Sequence, residues 1–279
     1  MLPRGLAVVV AALLSAGPAL GQEASMVPVT VDGQIVRLQM RIYRPRAVGP
    51  APTLVFNHGS TGNGLHASRF ARPIDFPVLA EFFVQRGWAV VMPARRGRGG
   101  SEGTYDEGFE TVRSLGYACD PSLAIPGADR ALRDIEAAMA AILAMPFVDR
   151  DRVVIGGQSR GGILSVAYAG RHPEQVKGVI NFVGGWSGRR CPTDVNQTLF
   201  VRGAGYPGET IWLYGDGDPF YSLAHSRENF SAFQGAGGTG VFHEFDPPAG
   251  TDGHRIVTVP SLWTTALEAY LKRQRLGRP

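Results

Sequence analysis

Apolar and polar positions change period several times along this chain, and each change marks an element. Val36, Leu38, Met40 and Ile42 alternate with Arg37, Gln39 and Arg41, the two-residue period of a strand covered on one face. Residues 27–31 read as a strand too. Asp32-Gly33 between the two is a two-residue turn signal, so residues 27–43 predict a β-hairpin. Residues 53–56, 88–92, 153–155, 176–183, 210–214 and 241–245 are instead short apolar runs, which suit strands buried on both faces of a parallel sheet. Helical spacing appears between them. Leu132, Ile135, Met139, Ile142 and Leu143 share one face of a helix predicted over residues 128–145. Further helices are predicted over residues 76–86, after Gly162, over 222–233 and over 261–273, while residues 110–126 are ambiguous. Strands alternating with helices predict an α/β fold: a mostly parallel sheet covered on both faces, with the antiparallel hairpin at one edge.

One stretch organises this pattern. Val153-Val154-Ile155 meets Gly156-Gly157, turns at Gln158-Ser159-Arg160, and passes through Gly161-Gly162. A helix with Ile163, Leu164, Val166, Ala167 and Tyr168 on its apolar face follows. Strand, sharp turn and helix with a serine at the apex is the setting a G-x-S-x-G nucleophile elbow requires. Gly99-Gly100-Ser101-Glu102-Gly103 matches the same letters, but no apolar helix follows it, so Ser101 reads as loop. Ser159 is the candidate nucleophile.

Composition adds a compartment. The chain has 279 residues, ordinary globular composition and a formal charge of +4. Residues 1–21 carry Arg4, an apolar run from Leu6 to Leu14 and the small-residue end Ala19-Leu20-Gly21. That is the pattern of a secretory signal peptide cut before Gln22, leaving residues 22–279 as a single domain. An uncut membrane anchor is the alternative, and no other stretch approaches transmembrane length. The remaining positive charge lies in scattered arginines and in Arg95-Arg96-x-Arg98, with no basic stripe interleaved with aromatics, so nucleic acid is not an expected partner. Two cysteines in an exported protein predict one disulfide, Cys119–Cys191, with two free thiols as the alternative. No His/Asp/Glu cluster has metal-ligand spacing and no phosphate loop follows the first parallel strand, so no metal or cofactor is expected.

A serine hydroxyl needs a base, and histidine has the right proton affinity. Of six histidines, His254 follows Asp252-Gly253 in a loop after the last strand and before the last helix, the strand-end position a base requires. His58 precedes a glycine loop and reads as structural; His66, His172, His225 and His243 lie in a loop, a helix end, a helix and a strand. The acid that orients the imidazole is Asp216 or Asp218, with Asp252 more remote.

The order Ser159, Asp, His254 across β/α units resembles the α/β-hydrolase fold. Three further motifs carry the resemblance. His58-Gly59-Ser60-Thr61 is similar to the family's oxyanion loop. Arg96-Gly97-x-Gly99-Gly100-Ser101-x-Gly103 is similar to its RGxGxSxG loop. Gly215-x-x-Asp218 is similar to its acid turn, which favours Asp218 over Asp216. Within the fold the chain looks most like the dienelactone-hydrolase-like and prolyl-oligopeptidase-like branches. It departs from dienelactone hydrolases in carrying serine rather than cysteine at the elbow. The resemblance implies an oxyanion hole made by the backbone N–H groups of Ser60 and Arg160. Trp186 and Tyr221 are candidate pocket residues, and the Arg160 side chain either meets a substrate carboxylate or pairs with a neighbouring loop.

These readings converge on an exported serine hydrolase cleaving a small-molecule carboxylic ester through an acyl-enzyme. An exported peptidase acting on short peptides or acylated amino acids, and a non-catalytic binding protein on the same fold, are the alternatives.

Overall fold

The computed structural model describes residues 21–191 and 194–276. The expected signal peptide lies outside them, except for Gly21, which opens the first strand. That strand, β1 (Gly21–Val31), pairs antiparallel with β2 (Gln34–Arg44) along its whole length. Asp32 and Gly33 both take positive φ, 51° and 76°, which matches the mirror-image turn that suits twisted hairpins. β1 starts earlier than residue 27, because its polar first half still finds β2 as a partner.

β2 continues antiparallel onto β4 (Ala89–Pro93), which lies beside β3 (Ala51–Asn57). From there the sheet is parallel through β5 (Val148–Gln158), β6 (Gly178–Phe182), β7 (Thr210–Gly215) and β8 (Gly240–Phe245). The order is β1-β2-β4-β3-β5-β6-β7-β8. β4, β6 and β7 are buried at every position, as their unbroken apolar runs require; edge strand β8 is only partly covered.

Helices α1 (Pro77–Val84), α2 (Pro121–Leu143), α3 (Arg160–Arg171), α4 (Val195–Val201), α5 (Leu223–Gly235) and α6 (Pro260–Arg273) connect and cover the strands. Two differ from the sequence reading. α2 begins seven residues before 128, with Asp120 accepting from Ser122 N and Pro121 in the first turn. Pro126 sits inside it, in the second turn, where it removes the bond a residue there would make to the Ser122 carbonyl, and the helix runs on through it. α4 falls in a stretch with no readable period. Its Asn196 Oδ1 accepts from the backbone N–H groups of Trp186 and Ser187 at 2.7 and 2.9 Å, so tertiary bonds hold it in place.

Candidate active site

The parallel strands deliver their carboxyl ends to one side of the sheet, where ligands bind in such folds. Ser159 is the single residue between β5 and α3. Its φ and ψ are 57° and −124°, a left-handed conformation that costs a side-chain-bearing residue about 1–3 kcal/mol. The strand and helix pass too close for anything but glycine beside it. A Cβ on Gly157 would lie 2.4 Å from the Gly161 carbonyl, and one on Gly161 would lie 2.0 Å from the Asn57 oxygen. The Ser159 side chain caps no backbone group. The Arg160 amide opens α3 and has no helical acceptor. The loop bearing Ser60 presses against the serine: a Cβ on Gly59 would sit 2.9 Å from the Ser159 Cβ.

Asp218 and His254 meet across the ends of β7 and β8. Asp218 Oδ2 lies 2.8 Å from His254 Nδ1, and its other oxygen accepts from the Phe220 and Tyr221 amides at 2.7 and 3.1 Å. Engagement of Nδ1 leaves Nε2 as the ring nitrogen available to the cavity that His254 lines. Asp216 is exposed. Asp252 holds the loop of His254, accepting from His254 N at 3.0 Å at the start of a 3-10 turn over Gly253–Thr258. Gln158 reaches across from the elbow and donates to the His254 carbonyl at 2.8 Å. The rings of Phe220 and Tyr221 flank the imidazole at 4.7 and 5.7 Å. Burial pushes the Tyr221 phenol above its ordinary value, while Arg160 and a hydrogen bond with Ser159 pull the other way.

Ser60, Ser159, Arg160, Trp186, Tyr221 and His254 line one cavity of about 550 Å³. Cys119 and Cys191 are bonded to each other and line it too, so the disulfide ties together two loops of its wall. The Arg160 guanidinium lies between two rings, 3.7 Å from Tyr117 and 4.0 Å from Trp186. It donates to the Glu107 carbonyl oxygen at 2.7 Å and faces the Glu107 carboxylate at 3.5 Å. Of the two partners expected for Arg160, the neighbouring loop has it.

Glu107 was not legible as a site residue, yet it is the acid that pairs with Arg160, the residue after Ser159. It is 1% exposed and also accepts from Arg95 Nε at 2.5 Å. Burial works to raise its carboxyl, but Arg95 and then Arg160 outweigh it and hold it below the usual range. The one hint was its position as an acid in an arginine-rich loop. His58 is buried beside this group. Its Nε2 accepts from the Arg95 amide and its Nδ1 faces the Gly59 carbonyl at 2.7 Å. Burial, then Arg95 and Arg98, hold its pKa well below 6.5, so it is neutral and structural. His172 pairs with Glu136 and His225 with Asn196, both away from Ser159. Among the described residues, no group of three or more His, Cys, Asp or Glu could hold a metal ion. No helix among them is long and apolar enough to cross a membrane.

The model of the X-Pro dipeptidyl-peptidase family (S15) matches residues 32–214. The chain belongs to the S15 peptidase family. The match covers the loop bearing Ser60, the turn at Ser159 and nearly all of β7, and ends before Asp218 and His254. Solved structures place this S15 chain in the α/β-hydrolase fold. Est1E from Butyrivibrio proteoclasticus, solved with ferulic acid bound, is similar at 16% identity and TM-score 0.60, over 89% of this chain and 98% of that one. An esterase from Pyrococcus furiosus is similar at 16% identity and TM-score 0.59, over 90% of each chain. The Pyrococcus horikoshii acylaminoacyl peptidase is similar at 16% identity and TM-score 0.62, over 90% of this chain but only 41% of the peptidase. The fold is therefore one that esterases and peptidases share.

Proposed function

We propose that the protein is an exported serine hydrolase that cleaves a carboxylic ester through an acyl-enzyme. The observation that carries this reading is the 2.8 Å bond between Asp218 and His254, beside a cavity that also holds Ser159 at its strained turn. In this reading His254 Nε2 takes the proton of the Ser159 hydroxyl as Oγ bonds to the ester carbonyl carbon. The carbonyl π electrons move to its oxygen, which the amides of Ser60 and Arg160 receive. The tetrahedral intermediate collapses, the C–O bond to the alcohol breaks, and His254 returns the proton to the leaving oxygen. Water then repeats the sequence and frees the acid. Asp218 holds the imidazole with Nδ1 protonated and stabilises the imidazolium. The disulfide and the absence of a membrane-length helix among the described residues are compatible with an exported protein.

Family membership favours a second reading, a peptidase that releases an X-Pro dipeptide from the amino end of a peptide. That chemistry recognises a free α-ammonium, which needs an anionic or strongly accepting partner once it leaves water. No Asp or Glu is among the described residues lining the cavity, and three arginines are. The ester reading is the better fit on that ground. Hydrolysis of p-nitrophenyl esters and of peptide p-nitroanilides, by wild type and Ser159→Ala, tests it. The expected result is ester cleavage that falls by about 10⁴-fold or more in the variant. Cleavage of an X-Pro anilide with no cleavage of esters would reverse the choice.

A further inference from the structure

The charge around the cavity runs one way. Behind Ser159, the buried side chains of Arg95 and Arg160 pair with the single carboxylate of Glu107, and buried Arg98 donates to the Phe70 and Gly59 carbonyls. At the cavity wall, Arg189 and Arg190 are exposed and adjacent. Most arginines elsewhere are within reach of a carboxylate, as in Arg37–Glu102, Arg171–Glu136 and Arg273–Glu209. The guanidinium groups of Arg189 and Arg190 have no ion-pair or hydrogen-bond partner among the described residues.

Their loop is fixed rather than free to follow its charges. Arg189 N donates to the Phe220 carbonyl at 2.9 Å, Cys191 N donates to the Gly188 carbonyl at 2.9 Å, and Cys191 is bonded to Cys119. Two unpaired cations are thus held beside the cavity by backbone bonds and a covalent bond. The buried arginines are taken up by Glu107 and by backbone carbonyls. Arg189 and Arg190 are exposed at the wall, so the groups they can reach are those entering the cavity. The remaining wall near them is apolar or aromatic, with Leu65, Leu115, Tyr117, Trp186 and Phe220.

We infer that the substrate is an ester with an apolar or aromatic body and a separate carboxylate, which Arg189 and Arg190 attract and hold at the cavity wall. This rests on the ester reading above. Arginine presents paired donors that match a carboxylate's two oxygens, and a cleft of one sign raises the local concentration of its counter-charge.

Matched ester pairs test it. One pair is 4-nitrophenyl hydrogen suberate and methyl 4-nitrophenyl suberate, which place the carboxylate on the acyl side. The other is 4-acetoxybenzoate and its methyl ester, which place it on the alcohol side. The readout is the ratio of kcat/KM for acid over methyl ester, corrected for the uncatalysed rate. Wild type is expected to favour the acid of at least one pair by roughly tenfold, with the ratio falling as ionic strength rises. In Arg189→Gln/Arg190→Gln, whose substitutions are at exposed side chains, that ratio should collapse toward one. Wild type that hydrolyses the methyl esters as well as the acids, or better, overturns the inference and leaves the ester reading standing. A ratio unchanged in the double variant removes these two arginines as the cause. Folded wild type that hydrolyses none of the four esters overturns the ester reading, and the inference with it.

Discussion

Gln158 Nε2 donates to the His254 carbonyl at 2.8 Å, so the residue before the proposed nucleophile holds the loop that bears the proposed base. The two are 96 positions apart in sequence. A shift of an ångström between reacting groups can cost a hundredfold in rate. Gln158→Ala is therefore expected to lower kcat on a p-nitrophenyl ester by about 10- to 100-fold, with KM little changed. A purely structural role would instead move the thermal midpoint and leave the kcat of the folded fraction intact.

The two candidate acids separate cleanly. Asp218→Asn keeps the shape but removes the charge that fixes the His254 tautomer, and is expected to lower kcat by about 10³- to 10⁴-fold. Asp216 is exposed, so Asp216→Asn should stay near wild type. Equal losses from the two, measured on the same ester, would contradict the assignment.

Acid should loosen the fold through His58. Burial, Arg95 and Arg98 keep its folded pKa well below the ordinary 6.5. Between those two values the unfolded chain binds a proton that the folded chain refuses. Its contribution is fully present above about pH 6.5 and is lost as pH falls below it, by up to about 1.4 kcal/mol per pH unit. Glu107, also held below its usual range, adds to the loss at lower pH. Urea unfolding followed from pH 7.5 to 5 should show the decline in wild type. His58→Gln should flatten it between about pH 6.5 and 5.5, where the carboxylates have yet to titrate. A stability curve that is flat or rises on acidification would contradict the account.

The Cys119–Cys191 bond closes a 72-residue separation and borders the cavity. In the chain-entropy model a loop of that length is worth about 4 kcal/mol. Cys119→Ser/Cys191→Ser should lose stability of that order in guanidinium unfolding and should raise KM for esters. A double variant with unchanged stability and unchanged KM would show that the bond does neither.

Much of the architecture was legible because local signals agreed with the tertiary fold. Asp32-Gly33 marked the hairpin, and unbroken apolar runs marked the parallel strands. The elbow was legible because only glycines at 157 and 161 fit its crossing. Pro126 hid the first turns of α2, since a proline reads as a boundary although the helix here runs through it. α4 was hidden because Asn196's bonds to residues 186 and 187 stabilise it, and no periodicity records those. Glu107 and Tyr117 were missed for a similar reason. Their place beside Arg160 depends on how the loop between β4 and α2 folds back on itself at the start of α3.

The central claim is that Ser159 attacks the substrate. Reaction of the folded protein with a fluorophosphonate probe, followed by mass mapping of the labelled peptide, tests it most directly. The account predicts one label per chain, on Ser159, with labelling abolished in Ser159→Ala and loss of ester hydrolysis in step with labelling. A folded, ester-hydrolysing protein that carries the label on another serine, or that hydrolyses esters unimpeded with Ser159 blocked, would contradict it.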